Sequence, residues 1–565
     1  MSQLATRDLL FQVGVSPAQD GVPEPQHSVT VDGAIQVERD VAITLKDGTD
    51  IYVDLFRPVQ QADVPVLIAW GPYGKHNGGA VYSQFKDESG RTGAGVEPDW
   101  ISAYTTFEGP DPKRWCANGY AVMNVDPRGT WWSGGEFATV WDEREARDVA
   151  DVITWSAAQP WTNGKVGMTG VSYLAVAQWW AASLRPAGLA AINPCEGLSD
   201  VYREFAFHGG IASHFPTFWQ HNRLKYSRSK IEAMADMMRG HPLEDAYWAS
   251  KEPDLTQIEV PAYVIASWSD QGLHTRGTLN AFEQISSQHK FLEVHGRKKW
   301  EYYHRPETVE RTRAFFDHFL RDVDNGVDEW PPVRLEMRRR FYDGAVRVPA
   351  RWPVPERSIR RLHLDATEGV LTEAGPAGPA QARYTVGEDG GEVSFDYHFD
   401  EPVDVLGGMR LRLWVSAEGS DDMDLYIALK KLDGDGEIIA FPFANVLEHG
   451  PLALGWLRVS HRAIDPERST DERPWHPHVT LEPLSEGEPV AVEIEIWPSG
   501  TRFAAGEGLR LAVRGSDHYT GAFMSRHVES HNAGTHVLHT GGRFDSQLSF
   551  PVLAVQDGAP DWGEA

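Results

Sequence analysis

Cysteine is nearly absent from this sequence, which has only Cys116 and Cys195 among 565 residues. Two cysteines cannot form a disulfide framework, and they are too few to indicate a zinc site. Long hydrophobic runs are also missing, since no stretch approaches the ~18 apolar residues of a membrane span. The amino terminus has no cationic start followed by an apolar core, so it does not resemble a secretory signal. We therefore expect a cytoplasmic protein without a membrane segment.

Positive charge is scarce as well. The chain has 53 Lys and Arg against 81 Asp and Glu, which leaves a formal net charge of −28. Such a balance argues against nucleic acids and anionic membranes as partners, because their phosphates would be repelled. The sequence indicates no cofactor and no metal, and it leaves open whether the chain forms a homo-oligomer. A small-molecule substrate is the expected partner.

The first part of the chain has the pattern of an α/β protein. Continuous apolar runs predict strands buried on both faces, and segments with helical spacing lie between them. This alternation predicts a mainly parallel sheet covered by helices. A β-hairpin is predicted at 41–56, with Asp47-Gly48 in a two-residue turn. The predicted buried strands are 64–70, 120–125, 166–170, 189–192, 262–267 and 291–294, and helices are predicted at 143–157, 176–183, 276–286 and 306–321.

A chain of this length is too long for one core, and its composition divides it. The segment 198–257, rich in aromatic residues and methionine, predicts a helical cap over the upper edge of the sheet. From about residue 351, apolar and polar residues alternate, which is typical of an antiparallel sandwich or jelly roll. The predicted division is an α/β core at 1–197 and 258–345, the cap at 198–257, and a C-terminal β-sandwich at 346–565.

The most informative stretch is Val166–Ala182, in which a buried strand runs into Gly170-Val-Ser172-Tyr-Leu-Ala175 and then into a helix. A serine at the apex of such a sharp turn has a strained backbone and an exposed hydroxyl, which suits a nucleophile. Small residues two before and three after the serine let the strand and helix pass closely. A serine in an ordinary tight turn is the alternative, but its position between strand and helix favours the nucleophile.

Partners for Ser172 are expected where other strands of the sheet end. Asp270 follows the strand at 262–267, and His295 directly follows the strand at 291–294. The order serine, acid, histidine is that of the α/β-hydrolases. Imidazole can take the serine proton, and a carboxylate on its other nitrogen holds the correct tautomer.

These partners have alternatives. Asp270 alone could cap the following helix, and His295 could be an ordinary histidine. We rank His295 first as the base and His304 second, because His295 directly follows its strand. A tetrahedral intermediate also needs two donors at its oxyanion. The N–H of Tyr173, next to the nucleophile, is one, and the hydroxyl of Tyr73 is well placed to be the other, unless Tyr73 is only a packing aromatic.

Five motifs of this sequence are Gly170-Val-Ser-Tyr-Leu174, Gly71-Pro-Tyr73, Asp126-Pro-Arg-Gly129, Ser133-Gly-Gly-Glu-Phe137 and Lys46-Asp-Gly48 through Phe56-Arg-Pro58. Together they resemble the X-prolyl dipeptidyl peptidase and cocaine esterase (CocE/NonD) family of α/β-hydrolases. The likeness covers nearly the whole chain and is specific in this combination. It departs in two places: Ala175 replaces the third elbow glycine, and the strand runs into His295-Gly-Arg-Lys-Lys-Trp300, whereas esterase members have histidine in a Pro-Trp-x-His context.

The resemblance implies an α/β-hydrolase core, a helical cap and a C-terminal jelly roll of the galactose-binding type. It also implies Ser172 as nucleophile with Asp270 and His295, and Tyr73 as oxyanion donor. We expect a serine hydrolase that cleaves a small acyl ester, with X-Pro dipeptidyl peptidase or amino-acid ester or amide hydrolase as the alternative. A binding protein with an inactive core is the non-enzymatic alternative. Acids that could recognise an amino group are Glu196, Asp200, Glu204 and Asp99.

Overall fold

The protein is described by a computed structural model that covers residues 9–76, 81–138, 141–386, 391–528 and 530–556. Its amino-terminal part is built around one large sheet. The strands of this part are β1 (Phe11–Val13), β2 (Ser28–Asp32), β3 (Ile35–Thr44), β4 (Asp50–Pro58), β5 (Val64–Trp70), β6 (Ala121–Asp126), β7 (Thr162–Val171), β8 (Leu189–Cys195), β9 (Phe207–His208), β10 (Ile211–Ala212), β11 (Lys230–Glu232), β12 (Ala262–Ser267), β13 (Lys290–His295), β14 (Val333–Arg340) and β15 (Asp343–Arg347).

The strands of the sheet are hydrogen-bonded in the order β2-β3-β4-β6-β5-β7-β8-β12-β13-β14-β15. From β6 to β14 all neighbours are parallel, and both ends of the sheet are antiparallel. The predicted parallel sheet is therefore confirmed. Its buried strands read as continuous apolar runs because helices cover both faces. Their carboxyl ends form one edge, where functional side chains gather.

Helices occupy the connections of this sheet, and the predicted helix at 306–321 has the bounds expected. They are α1 (Pro112–Ala117), α2 (Glu143–Ala157), α3 (Tyr173–Ser183), α4 (Phe215–Arg223), α5 (Met234–Gly240), α6 (Ala246–Ala249), α7 (Thr275–Gln284), α8 (Lys299–His304) and α9 (Pro306–Arg321). Short 3₁₀ turns lie at Pro17–Asp20, Pro98–Trp100, Leu255–Gln257, Val327–Glu329 and Val459–His461. Within the described ranges, no helix has both the length and the apolar character needed to cross a bilayer.

The hairpin between β3 and β4 forms as predicted, but its turn is longer than two residues. The last paired residues are Thr44 and Asp50, so Leu45–Thr49 forms the loop. Only Gly48 in this loop has a positive φ, of 86°. A type I′ turn needs positive φ at both central residues. The prediction of a two-residue Asp-Gly turn was therefore wrong, although Gly48 is needed for its conformation.

The segment predicted as a helical cap has mixed structure. It contains α4, α5, α6 and a π-helical turn at Tyr202–Ala206, but also the β9–β10 hairpin and β11. Strand β11 pairs antiparallel with β1 from the amino terminus. The helical prediction holds for α5, where Met234, Met237 and Met238 are buried at helical spacing. It also holds for α4 and α6, whereas a local hairpin at β9–β10 and the pairing of β11 with β1 replace helix in the rest of the segment.

The C-terminal part is a set of strands around a hydrophobic core of its own. Almost every pairing within it is antiparallel, as the alternating pattern predicted, and fully buried side chains such as Leu411, Ile494 and Phe550 fill its centre. Strand β26 also meets β14 of the first sheet at Arg338 and Thr501. The strands are β16 (Ser358–Asp365), β17 (Val370–Thr372), β18 (Ala380–Thr385), β19 (Glu392–His398), β20 (Val403–Glu418), β21 (Asp424–Leu432), β22 (Ile438–Ile439), β23 (Phe441–Phe443), β24 (Leu447–Gly450), β25 (Ala453–Arg458), β26 (Val490–Phe503), β27 (Gly508–Arg514), β28 (Thr535–Thr540) and β29 (Gln547–Ala554).

Candidate active site

Ser172 lies at the apex of the turn between β7 and α3. Its backbone has φ 60° and ψ −113°, a conformation that non-glycine residues rarely adopt. Gly170 has φ +151°, and a Cβ there would lie 2.5 Å from the Cβ of Leu174 and 3.1 Å from the carbonyl of Glu108. A side chain at position 170 is therefore excluded. The strained serine and the glycine before it form a nucleophile elbow.

The histidine at the serine hydroxyl is His274. Its Nε2 lies 3.1 Å from the Oγ of Ser172, and its Nδ1 is hydrogen-bonded to the Oδ2 of Asp270. An ionised carboxylate only accepts hydrogen bonds, so the proton of the neutral ring sits on Nδ1. Nε2 is then free to accept the hydroxyl proton. Both side chains come from the loop that joins β12 to α7.

His295 does not lie at Ser172, which corrects the prediction that this histidine contacts the serine. It is fully buried, and its ring stacks on Tyr302 with the centroids 3.6 Å apart. Its Nδ1 accepts the N–H of Arg297, and its Nε2 lies 3.4 Å from Glu196. Burial lowers the pKa of His295 well below the usual value. His295 is the last residue of β13, and the buried end of this strand holds its ring against Tyr302.

His304, the second-ranked histidine, is also elsewhere, because its Nε2 lies 2.8 Å from the hydroxyl of Tyr82. The signal for His274 was present in the sequence. Asp270 and His274 are four residues apart, a spacing that brings two side chains together on one turn of a helix. The sequence analysis expected the acid and the histidine at the ends of two different strands, whereas Asp270 and His274 both follow the same strand, β12.

Lys299 is a further charged group at this site. Its side chain is 2% exposed, and its Nζ lies 2.9 Å from the Oδ2 of Asp270 and 3.1 Å from the Nδ1 of His274. Its backbone N–H donates to the Oδ1 of Asn445, 3.0 Å away, in the C-terminal part of the chain. One carboxylate oxygen therefore accepts from both the imidazole and the ammonium group.

These neighbours shift the protonation equilibria of the pair. Burial would raise the pKa of Asp270, but the charge of Lys299 and the hydrogen bond from His274 hold it well below its usual range. Burial, together with the ammonium group of Lys299, lowers the pKa of His274 to about 4, against the opposing effect of Asp270. The carboxylate is therefore ionised and the imidazole neutral over most of the ordinary pH range.

Tyr73 and Tyr173, the two predicted oxyanion donors, both lie next to Ser172. Tyr73 follows β5, and its buried hydroxyl interacts with Ser172, Trp219 and Glu108. Burial and the charge of Glu108 raise the pKa of Tyr73 well above its usual value, so the phenol keeps its proton. Tyr173 begins α3, where the first N–H groups have no acceptor within the helix. The Tyr73 hydroxyl and the Tyr173 N–H are thus two hydrogen-bond donors close to Ser172.

A cavity of about 270 Å³ opens beside the serine. Half of its lining residues are aromatic, and the walls come from the core, the cap and the C-terminal part. The size and lining suit the burial of one small organic group. The lining residues are Tyr73, Gln84, Phe85, Phe107, Glu108, Ser172, Phe215, Phe218, Trp219, Asn222, Arg223, Leu273, Lys299, Trp300, Phe523 and Met524.

Glu108 supplies the carboxyl group in the wall of this cavity. Its Oε1 accepts from the indole Nε1 of Trp300 at 2.8 Å, and its Oε2 has no hydrogen-bond partner among the described residues. Burial raises the pKa of Glu108 to about 7, although Lys299 and the bond from Trp300 oppose the shift. Sequence reasoning missed this residue because it belongs to none of the predicted strand ends.

The four acids expected near the cleft do not line the cavity. Glu196 lies behind it near Asp270, and Asp99 is exposed. Asp200 pairs with Arg203, with 2.9 Å between Oδ2 and the guanidinium nitrogen. Glu204 pairs with Arg276, with 2.7 Å between the corresponding atoms.

Two clusters in the described part of the chain have the ligand types of a metal site. One consists of Asp40, Asp54 and His76, and the other of Glu196, Asp270 and His274. Each already holds a cation of the chain itself. Lys75 is paired with Asp40 and lies 3.6 Å from Asp54, and Lys299 binds Asp270. The ammonium groups therefore supply the charge that a metal would bring.

Serine hydrolases of the α/β-hydrolase fold present their nucleophile in this way, and this chain is a serine hydrolase that acts on ester or amide bonds. The family model described as X-Pro dipeptidyl-peptidase (S15 family) matches residues 47–298. The model described as X-Pro dipeptidyl-peptidase C-terminal non-catalytic domain matches residues 325–549.

Solved structures and curated relatives agree with these matches. A CocE/NonD family hydrolase from Staphylococcus aureus is 39% identical, with a TM-score of 0.87 over 96% of this chain and 98% of its own. Cocaine esterase from Rhodococcus sp. (strain MB1 Bresler) is 26% identical over 67% of this chain and 71% of its own length. The fold of an α-amino acid ester hydrolase is also similar, at 17% identity and a TM-score of 0.72 over 95% of this chain and 99% of its own. This chain belongs to the CocE/NonD family of hydrolases.

Proposed function

We propose that the enzyme hydrolyses esters of small acyl groups through an acyl-enzyme on Ser172, with His274 as the general base. The observation that carries this proposal is the distance of 3.1 Å between the Oγ of Ser172 and the Nε2 of His274, whose other nitrogen is bonded to Asp270. His274 takes the hydroxyl proton as Ser172 attacks the carbonyl carbon. It then gives that proton to the leaving alcohol.

The negative charge that develops on the carbonyl oxygen needs donors, and we assign them to Tyr173 and Tyr73. The N–H of Tyr173 faces the oxygen because it directly follows the nucleophile in the elbow. The hydroxyl of Tyr73 is a second donor, supported by its interaction with Ser172. Water repeats the sequence on the acyl-enzyme, with His274 again as base, and releases the acid.

The aromatic lining of the cavity supports esters as substrates, since it buries an apolar acyl group. One relative carries the name cocaine esterase, which denotes ester hydrolysis. The test is kcat/KM on p-nitrophenyl esters of graded chain length, beside X-Pro anilides, with Ser172→Ala as the blank. We expect turnover of the esters, with a preference for acyl groups that fill about 270 Å³. Faster cleavage of the anilides would overturn the esterase assignment.

Glu108 favours one second candidate, the hydrolysis of amino-acid esters or of X-Pro peptides. These substrates carry an ammonium group, and the free Oε2 of Glu108 is an acceptor in the cavity wall. If this candidate is correct, Glu108→Gln raises KM for substrates with a free amino group and leaves KM for N-acylated analogues unchanged. Equal effects on both substrates would exclude it.

For the architecture, we propose the division 1–197, 198–257, 258–345 and 346–565, with the C-terminal unit a jelly roll of the galactose-binding type. The antiparallel pairing of its strands and its separate hydrophobic core support this assignment. Limited proteolysis tests the boundary before the C-terminal unit, because the first cut should fall in the exposed linker near residues 350–356 and outside the two cores.

A further inference from the structure

Lys299 is buried against Asp270 and His274, and its charged group contacts both of them. Its Nζ shares the Oδ2 of Asp270 with the Nδ1–H of His274. In a serine–histidine–aspartate triad the carboxylate orients the imidazole and stabilises the imidazolium. Here the ammonium group lies on the same oxygen, so the imidazole faces a neutralised ion pair.

The other charged groups around His274 do not cancel this effect. From the end of β8, Glu196 lies within 4.8 Å of the atoms of Asp270 and His274. Burial and the charge of Asp270 raise the pKa of Glu196 well above its usual value, which disfavours the charged form of this acid. From the loop before α1, the charge of Glu108 acts on Lys299 and raises its pKa. The charged groups in direct contact with the imidazole are those of Asp270 and Lys299.

We propose that Lys299 is a positioning residue that holds Asp270 against His274 and weakens the proton affinity of the imidazole, so that the base stays neutral in acidic solution. The proposal rests on the proposed function, in which His274 is the base. Two cations side by side are unfavourable, so the ammonium group opposes protonation of His274. The ion pair keeps the carboxylate oxygen in place, and the Nδ1–H must then point at it. Ser172 therefore meets an unprotonated Nε2.

The experiment compares Lys299→Met, which removes the charge, with Lys299→Arg, which keeps it. The readout is the acid limb of kcat/KM, which reports the pKa of the base in the free enzyme. Both variants are also made with Glu108→Gln, because Glu108 titrates near 7 and faces the same cavity. We expect the limb to stay in place in Lys299→Arg and to move upward by at least about one pH unit, a tenfold change, in Lys299→Met.

A purely structural role would lower kcat or thermal stability without moving the limb. A limb in folded Lys299→Met within about 0.3 pH unit of the parent would overturn the proposal. If Lys299→Met does not fold, Lys299→Gln removes the charge and keeps a donor for Asp270, and the same shift is expected. Failure of the proposed function is recognised separately, because His274→Ala would then retain turnover. Inactive His274→Ala with an unmoved limb rejects only the role of Lys299.

Discussion

The elbow around Ser172 and the loop that carries Asp270 and His274 are built in different ways. The elbow is one continuous segment, in which a buried strand, a glycine without room for a side chain and an apolar helix determine the geometry of the serine. The acid–base loop depends on distant parts of the chain. Gln271 donates to the carbonyl of Pro498 at 3.0 Å, and the carbonyl of Ser269 accepts the N–H of Ala444 at 3.1 Å.

This difference shows which part of the site can be described by sequence patterns. A nucleophile elbow is a local structure, so its pattern is readable from neighbouring residues. The choice of histidine is a tertiary property, because His274 and His295 both belong to segments that end near the same edge of the sheet. Contacts with the C-terminal part hold the loop that carries His274, whereas His295 is packed against Tyr302.

The largest effect is expected for a substitution in the elbow. Ser172→Ala removes the nucleophile and almost no volume, so turnover should fall about a million-fold in kcat. Thermal unfolding should stay close to that of the parent, since the strained backbone is retained by its neighbours. Steady-state ester hydrolysis and a melting curve measure the two quantities. Turnover near that of the parent enzyme would contradict a mechanism based on Ser172.

The second prediction concerns the loop that carries Asp270 and His274, and it distinguishes His274 from His295 as the base. His274→Ala should reduce kcat about as strongly as loss of the serine, because members of a triad act as one unit. The matched control is His295→Asn, in which the amide oxygen takes the place of Nδ1 and can still accept the N–H of Arg297. This variant should lose stability and keep kcat within about tenfold of the parent. The reverse result, with His295→Asn inactive and His274→Ala active, would restore the strand-end assignment.

A smaller effect is expected for Tyr73→Phe, which deletes one hydroxyl and almost no volume. Losing one oxyanion donor typically reduces kcat by about 10²–10³, or roughly 3–4 kcal/mol, while KM changes little. Stability should remain nearly unchanged. If kcat stays within about threefold, Tyr73 is a packing aromatic, and a change confined to KM would place it in substrate binding.

The smallest effect concerns pH. With the pKa of His274 lowered to about 4, the base is about 90% neutral at pH 5, whereas an ordinary histidine would be about 3% neutral. Because the pKa of His274 is lower in the folded protein than in the unfolded chain, the imidazole becomes protonated only as the pH falls through about 4. We therefore expect kcat/KM to fall only in that pH range. In a Glu108→Gln background, kcat/KM at pH 5 should lie within about twofold of its value at pH 6. A drop of about tenfold between these values would show an ordinary base.

Much of the fold could be predicted because buried strands and helices leave different periodicities. The parallel sheet, α9 and the antiparallel C-terminal strands follow from these patterns. The hairpin turn and the mixed structure of the cap did not follow from these patterns. Both have partners far away in the chain, since the turn is hydrogen-bonded to Asp151 and Arg128, and β11 of the cap pairs with β1. Glu108 was missed for a similar reason, since no local pattern marks it as part of the cavity wall.

The sequence by itself determined the elbow, the class of enzyme and the position of Asp270 just after the end of β12. These features depend on residues that are neighbours in the chain, so local packing and backbone strain suffice to specify them. Only the tertiary structure decided that His274 faces Ser172, that His295 packs against Tyr302 and that Lys299 shares the carboxylate of Asp270. The physical reason is that the partner of a side chain depends on where distant segments of the chain come to lie. His295 is buried at the end of β13 and stacks on Tyr302, so its ring does not contact the serine.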